Sequence, residues 1–312
     1  MIEIRKRIGG DVMNLEALRA FYTVGLTGSI SRASRILHLS QPAVSMQIQS
    51  IEKELNITLL DRSSQGVVLT PQGKVFHQYA KQVLDLTKNV EAEIRAMGNG
   101  ASTSFRLGVC PLIAEHILPC SLYHLRERLP NVRIVTSVMD SDEILDAVAG
   151  GIVHAGMIQG SLRHPDLTVE EILTAPFVLV TSRGQNDLFS KNLLPEDLTF
   201  LPLVFPEQGC CSRKMLEEAL MAQGVNPYDL HVLMELSSFE AVKSLVISGQ
   251  GMAFLPYPMV KKELQTGKLA NIPIKGVTFS WKVSFIYPRK DRKPSNLDQI
   301  LQFFHSNERR FC

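Results

Sequence analysis

Residues 29–55, SISRASRILHLSQPAVSMQIQSIEKEL, constrain the fold most, because two helix-start signals stand close together and each is followed by apolar residues at helical spacing. Ser29 or Ser31 can cap a first helix in which Ala33, Ile36 and Leu37 face inward and Arg32 and Arg35 outward. A short turn through His38-Leu39 leads to Ser40, a good N-cap, and Pro42 follows in the first turn, where its missing N–H costs nothing. In the second helix Val44, Ile48, Ile51 and Leu55 form one buried stripe. The opposite face then carries Pro42, Met46, Gln49 and Lys53, flanked by Gln41, Ser45 and Gln47: small polar groups able to read base edges in a major groove. A plain three-helix bundle facing water would show the same periodicity.

The flanking segments weigh between these readings. Upstream, Asn14 caps a helix whose apolar positions Leu15, Leu18, Phe21 and Tyr22 end at Gly25 and Gly28. Downstream, Ile57–Leu60, the turn Asp61–Gly66 and Val67–Leu69 predict a β-hairpin. A hairpin after a recognition helix is a wing, and Arg62 near its start is placed for a phosphate or minor-groove contact. Together these are the parts of a DNA-reading head.

Thr70-Pro71 opens a long helix to about Met97, along which Tyr79, Val83, Leu86, Val90 and Met97 keep a near-heptad register, with Ile94 beside it. No neighbouring element is long enough to cover that stripe, so pairing with a second chain is expected, with packing on its own domain as the alternative. Residues 98–104, GNGASTS, have hinge composition. Beyond them, strands expected at Phe105–Val109, Val132–Met139, Ala155–Ile158, Phe177–Thr181, Leu203–Phe205, Val232–Leu236, Gly251–Leu255 and Val277–Tyr287 alternate with helices at Ala114–Leu129, Ser141–Ala149, Arg213–Gln223, Ser238–Ile247 and Leu297–Phe304. That alternation argues for a parallel α/β sheet.

The quoted residues also carry a family resemblance. LRAFY from Leu18, GSISRAS from Gly28, LSQPAVSMQI from Leu39, IEKEL from Ile51, LLDR from Leu59 and LTPQG from Leu69 are collinear and resemble the N-terminal signature of LysR-type transcriptional regulators. The α/β part resembles the periplasmic-binding-protein-like effector domain of the same family. The fold class expected is α/β overall: an all-α-type winged helix-turn-helix N-terminal domain, a long linker helix and a two-lobed α/β C-terminal domain. The expected divisions are a flexible leader at 1–12, with Met13 an alternative start, the winged head at 13–71, the linker at 72–97, the hinge at 98–104 and the effector domain at 105–308. Lobe I would hold about 105–178 and 277–308, and lobe II about 179–276.

The resemblance implies base contacts from Gln41, Pro42 and Ser45, and backbone contacts from Ser29, Ser31, Gln49 and Arg62. Arg32, Ser40 and Met46 complete the candidate DNA surface; relatives often carry arginine where Met46 stands. Tyr79, Val83, Leu86 and Val90 are the candidate dimerisation residues, and the family likeness extends pairing to a homotetramer. An effector would lie at the carboxyl ends of the strands, near helix N-termini. Candidates there are Cys110, Pro111 and Leu112, where relatives carry serine or threonine; Gln208, Cys210 and Arg213, the last suited to hold a carboxylate bidentately; and Ser238 and Phe239. His154 stands where relatives carry aspartate, and is either a neutral packed imidazole or a pH-sensitive group.

Composition limits the alternatives. The 312 residues carry a formal net charge of +2 and a mean hydropathy of +0.05, which permits a nucleic-acid partner without requiring one. No apolar run approaches the roughly 20 residues that cross a bilayer, so a cytoplasmic protein with no membrane partner is expected. Five cysteines in no ligand spacing argue against zinc or a disulfide framework. Adjacent Cys210 and Cys211 leave redox sensing as a minor alternative. No GxSxG, HExxH, P-loop or Rossmann glycine motif is present, so no enzyme and no cofactor are expected. The expected partners are promoter DNA, a small effector of organic-acid or amino-acid type, and a second copy of the chain, with RNA polymerase a further candidate. The competing function is a ligand- or redox-sensing protein whose first domain makes protein contacts.

Overall fold

The first described helix starts at an N-cap: Asn14 Oδ1 accepts from Ala17 N at 2.7 Å and opens α1 (Leu15–Thr27), which Gly28 ends in the left-handed conformation. The computed structural model describes residues 14–63, 66–98, 103–184, 193–289 and 296–306, so the expected leader and most of the hinge fall outside it. The chain divides into two compact units, one up to Gly100 and one from Ala101. Ser29 caps α2 (Ile30–Leu37) and Ser40 caps α3 (Gln41–Leu55), with Pro42 in its first turn. The turn between them uses His38 at φ 54°, and α3 ends at Asn56 at φ 52°, both left-handed positions that suit short polar or hydrogen-bonding residues.

Phe21, Val24, Ala33, Val44, Ile48, Ile51 and Leu59 are buried in one core with Ala80 and Leu84 of the long helix α4 (Pro71–Gly98). The wing differs from expectation. Its strands are β1 (Leu60–Ser63) and β2 (Gly66–Leu69), antiparallel, and Ile57–Leu59 is not strand. The Glu52 carboxylate takes the backbone N–H groups of Leu59 and Leu60 at 2.8 and 3.2 Å, diverting the chain from sheet pairing before the hairpin starts. Thr70 explains the start of α4: its hydroxyl donates to Thr58 O and accepts from Gly73 N. A Cβ at Gly73 would lie 2.0 Å from Leu59 O, so only glycine lets α4 approach the wing this closely.

In the second unit, β3 (Thr103–Val109) pairs in parallel with β4 (Val132–Val138) and β5 (Ala155–Gln159). The long strands β6 (Leu167–Ser182) and β11 (Phe279–Pro288) run antiparallel to each other and tie the two lobes together. The sheet order is β10-β6-β11-β5-β3-β4, with β9 (Ala253–Pro256) also on β6 and β10 (Leu269–Ile272) at the edge. A separate parallel pair is formed by β7 (Leu203–Pro206) and β8 (Val232–Leu236). The expected parallel sheet is therefore mixed: β6 begins well before Phe177, and β10 and the helix α10 (Tyr257–Gln265) were not foreseen.

The helix expected at Ala114–Leu129 is two helices, α5 (Pro111–His116) and α6 (Leu118–Arg128), broken at Ile117. Pro119 has no N–H to continue the ladder. The remaining helices are α7 (Ser141–Ala149), α8 (Cys211–Ala222), α9 (Phe239–Ile247) and α11 (Leu297–His305). They cover a core in which Trp281, Phe105, Phe285, Phe303 and Phe304 are the largest fully buried side chains.

Candidate nucleic-acid interface and effector site

Burying Val44, Ile48 and Ile51 turns the other face of α3 outward. Gln41, Pro42, Met46, Gln49 and Lys53 are exposed there, and Ser45 is half-buried beside them. Ser31 and Arg32 on α2 and Ser40 at the cap are exposed too, whereas Ser29 is half-buried and spends its hydroxyl on Arg32 N. The surface combines short uncharged groups with the charged Arg32 and Lys53, and Met46 stands out on it at 68% exposure. Arg62 lies in β1 opposite Val67; its side chain is outside the described residues.

Helix α4 has two apolar faces. Ala80 and Leu84 belong to the head's core, with Phe76 packed edge-on to Phe21 at 5.1 Å and His77 stacked on Tyr22 at 4.5 Å. On the other side Tyr79, Val83, Leu86, Val90 and Ile94 are exposed, and Val75, not singled out from sequence, extends the stripe by one turn. The side chain of Met97 is outside the described residues.

At the lobe junction the structure brings the expected Cys110 together with residues that were not among the expected contacts. The Cys110 thiol, at the end of β3, lies 3.1 Å from Ser141 Oγ at the start of α7. Burial pushes its pKa up to about 11, against smaller opposing effects of the Ser141 hydroxyl and the Gln159 backbone. Gln159, at the end of β5, accepts on Oε1 from Ser212 at the start of α8 and from Trp281 Nε1 of β11 at 2.8 Å. Ser212 therefore links lobe II to lobe I. Ser141, Gln159 and Trp281 were missed by sequence reasoning; the signal for Gln159 was a lone polar residue closing the otherwise apolar, fully buried run AGMIQ.

Several expected effector contacts are placed elsewhere. Leu112 is in the hydrophobic core. Arg213 spends Nε and Nη1 within the fold: Nε donates to Glu217 at 2.7 Å, Nη1 donates to Glu235 at 2.6 Å and to Pro206 O at 2.8 Å, and the group lies 5.2 Å over Phe205. Burial disfavours its charge, but the two carboxylates prevail and raise its pKa. Pro111, Gln208 and Ser238 are exposed, and Ser238 spends its hydroxyl capping α9. Phe239 is half-buried against the core. The next residue, Glu240, approaches His116 Nε2 of α5 at 3.0 Å, without the alignment of a hydrogen bond, and also holds Lys243 at 2.8 Å.

Burial also raises the Cys210 pKa despite backbone N–H groups of α8 at its sulfur, which disfavours a reactive thiolate. Cys120 is disulfide-bonded, whereas Cys110, Cys210 and Cys211 are free thiols. His154 is a packed imidazole: its Nδ1 accepts from Arg106 N, its ring lies edge-on to Phe105, and burial, then the Arg106 charge, lower its pKa to about 4. It is neutral at physiological pH.

A winged helix-turn-helix head with an outward recognition helix, joined to a two-lobed α/β domain with polar groups at the lobe junction, defines a DNA-binding regulator with a ligand-sensing domain. Comparison with known proteins makes this specific. Residues 98–309 match the LysR substrate binding domain, and residues 15–74 match the bacterial regulatory helix-turn-helix protein, lysR family. The chain belongs to the LysR family of transcription regulators.

Among its relatives are the HTH-type transcriptional regulator GltR of Bacillus subtilis (strain 168), 31% identical and covering 88% of each chain, and a probable RuBisCO transcriptional regulator of Cyanophora paradoxa, 28% identical over 88% of this chain and 85% of that one. In fold it is similar to CbnR, a LysR family regulator, with a TM-score of 0.74 at 22% identity, covering 94% of this chain and 98% of that one. The full-length CbnR complex with its target DNA gives 0.73 at the same identity, covering 94% and 99%. No helix among the described residues is long and apolar enough to cross a membrane.

Proposed function

We propose that this regulator is a cytoplasmic, non-enzymatic protein that reads an interrupted palindrome through paired heads, under control of a small molecule held at the lobe junction. The observation that carries the reading is the division of α3 into a buried stripe of Val44, Ile48 and Ile51 and an exposed face of Gln41, Pro42, Met46 and Gln49. Gln41, Pro42 and Ser45 read base edges; Ser31, Arg32, Ser40 and Gln49 position the head on phosphates, with Ser29 shaping the loop and Arg62 serving the wing. The uncovered stripe Tyr79, Val83, Leu86, Val90 and Ile94 pairs two copies, so that two recognition helices meet two half-sites.

A dimer of dimers is supported by two edge strands with exposed apolar side chains. Val135 and Val138 stand on β4, and Leu233 and Met234 on β8; an unpaired strand edge is a ready surface for a second copy. The domain divisions proposed are a head to about residue 71, a linker to 97 and an effector domain from about 105, with lobes exchanging near 178 and 277. Cys110 and Gln159 of lobe I and Cys210, Cys211 and Ser212 of lobe II frame the effector site, while Arg213 acts as scaffold behind it.

Footprinting on DNA selected by the full chain tests the reading. Protection of two half-sites is expected, and Gln41→Ala should relax base choice at one position by about 1–3 kcal/mol. Equal weakening on every sequence would show instead that Gln41 only positions the head.

A further inference from the structure

Hydrogen-bond directions at the lobe junction are set by donor chemistry. Trp281 Nε1 lies 2.8 Å from the end of the Gln159 side chain. An indole N–H can only donate, so the atom facing it must be the amide oxygen, however the amide is first assigned. Ser212 donates its hydroxyl to that same oxygen. Both acceptor sites of Oε1 are then used, and the two N–H donors on Nε2 have no partner among the described residues. Gln159 is 7% exposed, yet Nε2 is not one of the atoms both unpartnered and sealed from solvent, which among the described residues are Gln47 Oε1 and His116 Nε2. A nine-tenths buried amide thus keeps an opening for a donor pair beside the N-terminus of α8, where Cys210 makes no side-chain cap.

The charges nearby do not suit an acid. The Arg213 guanidinium is engaged by Glu217, Glu235 and Pro206 O. The Cys110 thiol is held protonated, and Asp140 bears on it as a like charge. A carboxylate entering here would lose its hydration and find the Arg213 charge already shared by two carboxylates, leaving it only the N-terminus of α8, whereas a neutral oxygen gains the Gln159 donors at a smaller loss of hydration.

We propose that Gln159 is the residue that selects the effector, and that the effector is a small uncharged molecule presenting a carbonyl, amide or hydroxyl oxygen, in place of an organic acid. This rests on the reading of the second unit as an effector domain. The oxygen accepts from Gln159 Nε2, and the bond from Trp281 holds the amide so that it cannot turn to present an acceptor. The chain has a single tryptophan, so Trp281 emission reports on occupancy.

Matched pairs of probes test this on the full chain: propionamide against propionate, benzamide against benzoate, succinamide against succinate. Trp281 emission and affinity for DNA selected by the chain are both read. The amides should saturate at concentrations at least tenfold below their acids. Gln159→Glu, which keeps an oxygen for Trp281 and Ser212 but loses the donor pair, should raise the amide midpoint at least tenfold. Gln159→Met, which keeps side-chain length without either group, should do the same and guards against a folding defect confined to one variant. Acids saturating first, or amide midpoints unchanged in both variants, would overturn the selection by Gln159. If acids alter DNA affinity, the effector-domain reading stands and the class assignment falls. If no probe of either class moves emission or DNA affinity, both fall.

Discussion

Replacing Arg213 by methionine separates a scaffold from a ligand contact. Methionine keeps much of the apolar stem but removes the guanidinium, which leaves the buried Pro206 carbonyl without the donor now 2.8 Å away. An unpaired buried acceptor costs about 1–3 kcal/mol. The ion pairs to Glu217 and Glu235 contribute less, because those carboxylates are 29% and 39% exposed and regain water when released; about 0.5–1 kcal/mol each is appropriate. Losing the cation over Phe205 adds about 0.5–1 kcal/mol.

The total is about 2.5–6 kcal/mol, which for a domain of this size lowers Tm by roughly 5–24 °C at about 2–4 °C per kcal/mol. Thermal unfolding followed by Trp281 emission isolates the effector domain, since that is where the chain's tryptophan lies. Ligand response, measured well below Tm, should persist. A Tm loss under about 2 °C combined with abolished ligand response would refute the scaffold role and return Arg213 to the ligand.

Three further outcomes follow from the same structure. Val83→Asp or Leu86→Asp places a charge on the exposed stripe of α4 and should yield monomers by sedimentation while the head stays folded; an unchanged dimer would refute the pairing. His154, with its pKa lowered from 6.5 to about 4, binds a proton in the unfolded chain before it does so in the folded one. Stability is therefore full above pH 6.5 and falls through the window down to about pH 4, by at most about 3 kcal/mol. Urea titrations across that window should show a shallower fall in His154→Gln. Gly73→Ala should destabilise the head by about 1–3 kcal/mol despite alanine's better helix propensity, because its Cβ would meet Leu59 O; a gain in head stability by urea unfolding would contradict that.

Local signals in the sequence located the head well. Serine and asparagine caps, Pro42 and the apolar spacing act over a few residues, and α1, α2 and α3 follow them closely. Where contacts between distant segments decided the outcome, local reading failed. Glu52 reaches Leu59 and Leu60 across the end of α3, which shortens the wing strand. β6 begins well before the expected Phe177 because β11 pairs with it from Leu167 to Phe177, and β9 and β10 pair with it beyond.

The candidate site shows the same limit. Cys110, Cys210 and the start of α8 were visible as strand-end and helix-start positions. The selectivity of Gln159 depends on a tryptophan far along the chain, and the commitment of Arg213 depends on Glu235 from another strand. Neither can be read from spacing.

The junction also limits how the response can work. A ligand shifts an equilibrium only by its differential affinity for the two arrangements, and one neutral hydrogen bond such as Ser212 to Gln159 contributes about 0.5–1.5 kcal/mol. A ligand bond of that strength at Gln159 Nε2, made in one arrangement and not the other, changes the ratio of arrangements in a single chain by roughly tenfold or less at 1.4 kcal/mol per decade. A nearly complete switch needs about 10⁴-fold. If four copies change together, tenfold at each site multiplies to about that figure, as concerted transitions in symmetric assemblies allow. A weak clasp at each lobe junction is then sufficient if the chain assembles through α4, β4 and β8 as proposed. The steepness of the effector response should accordingly fall when Val83→Asp removes the α4 pairing, even with each junction intact.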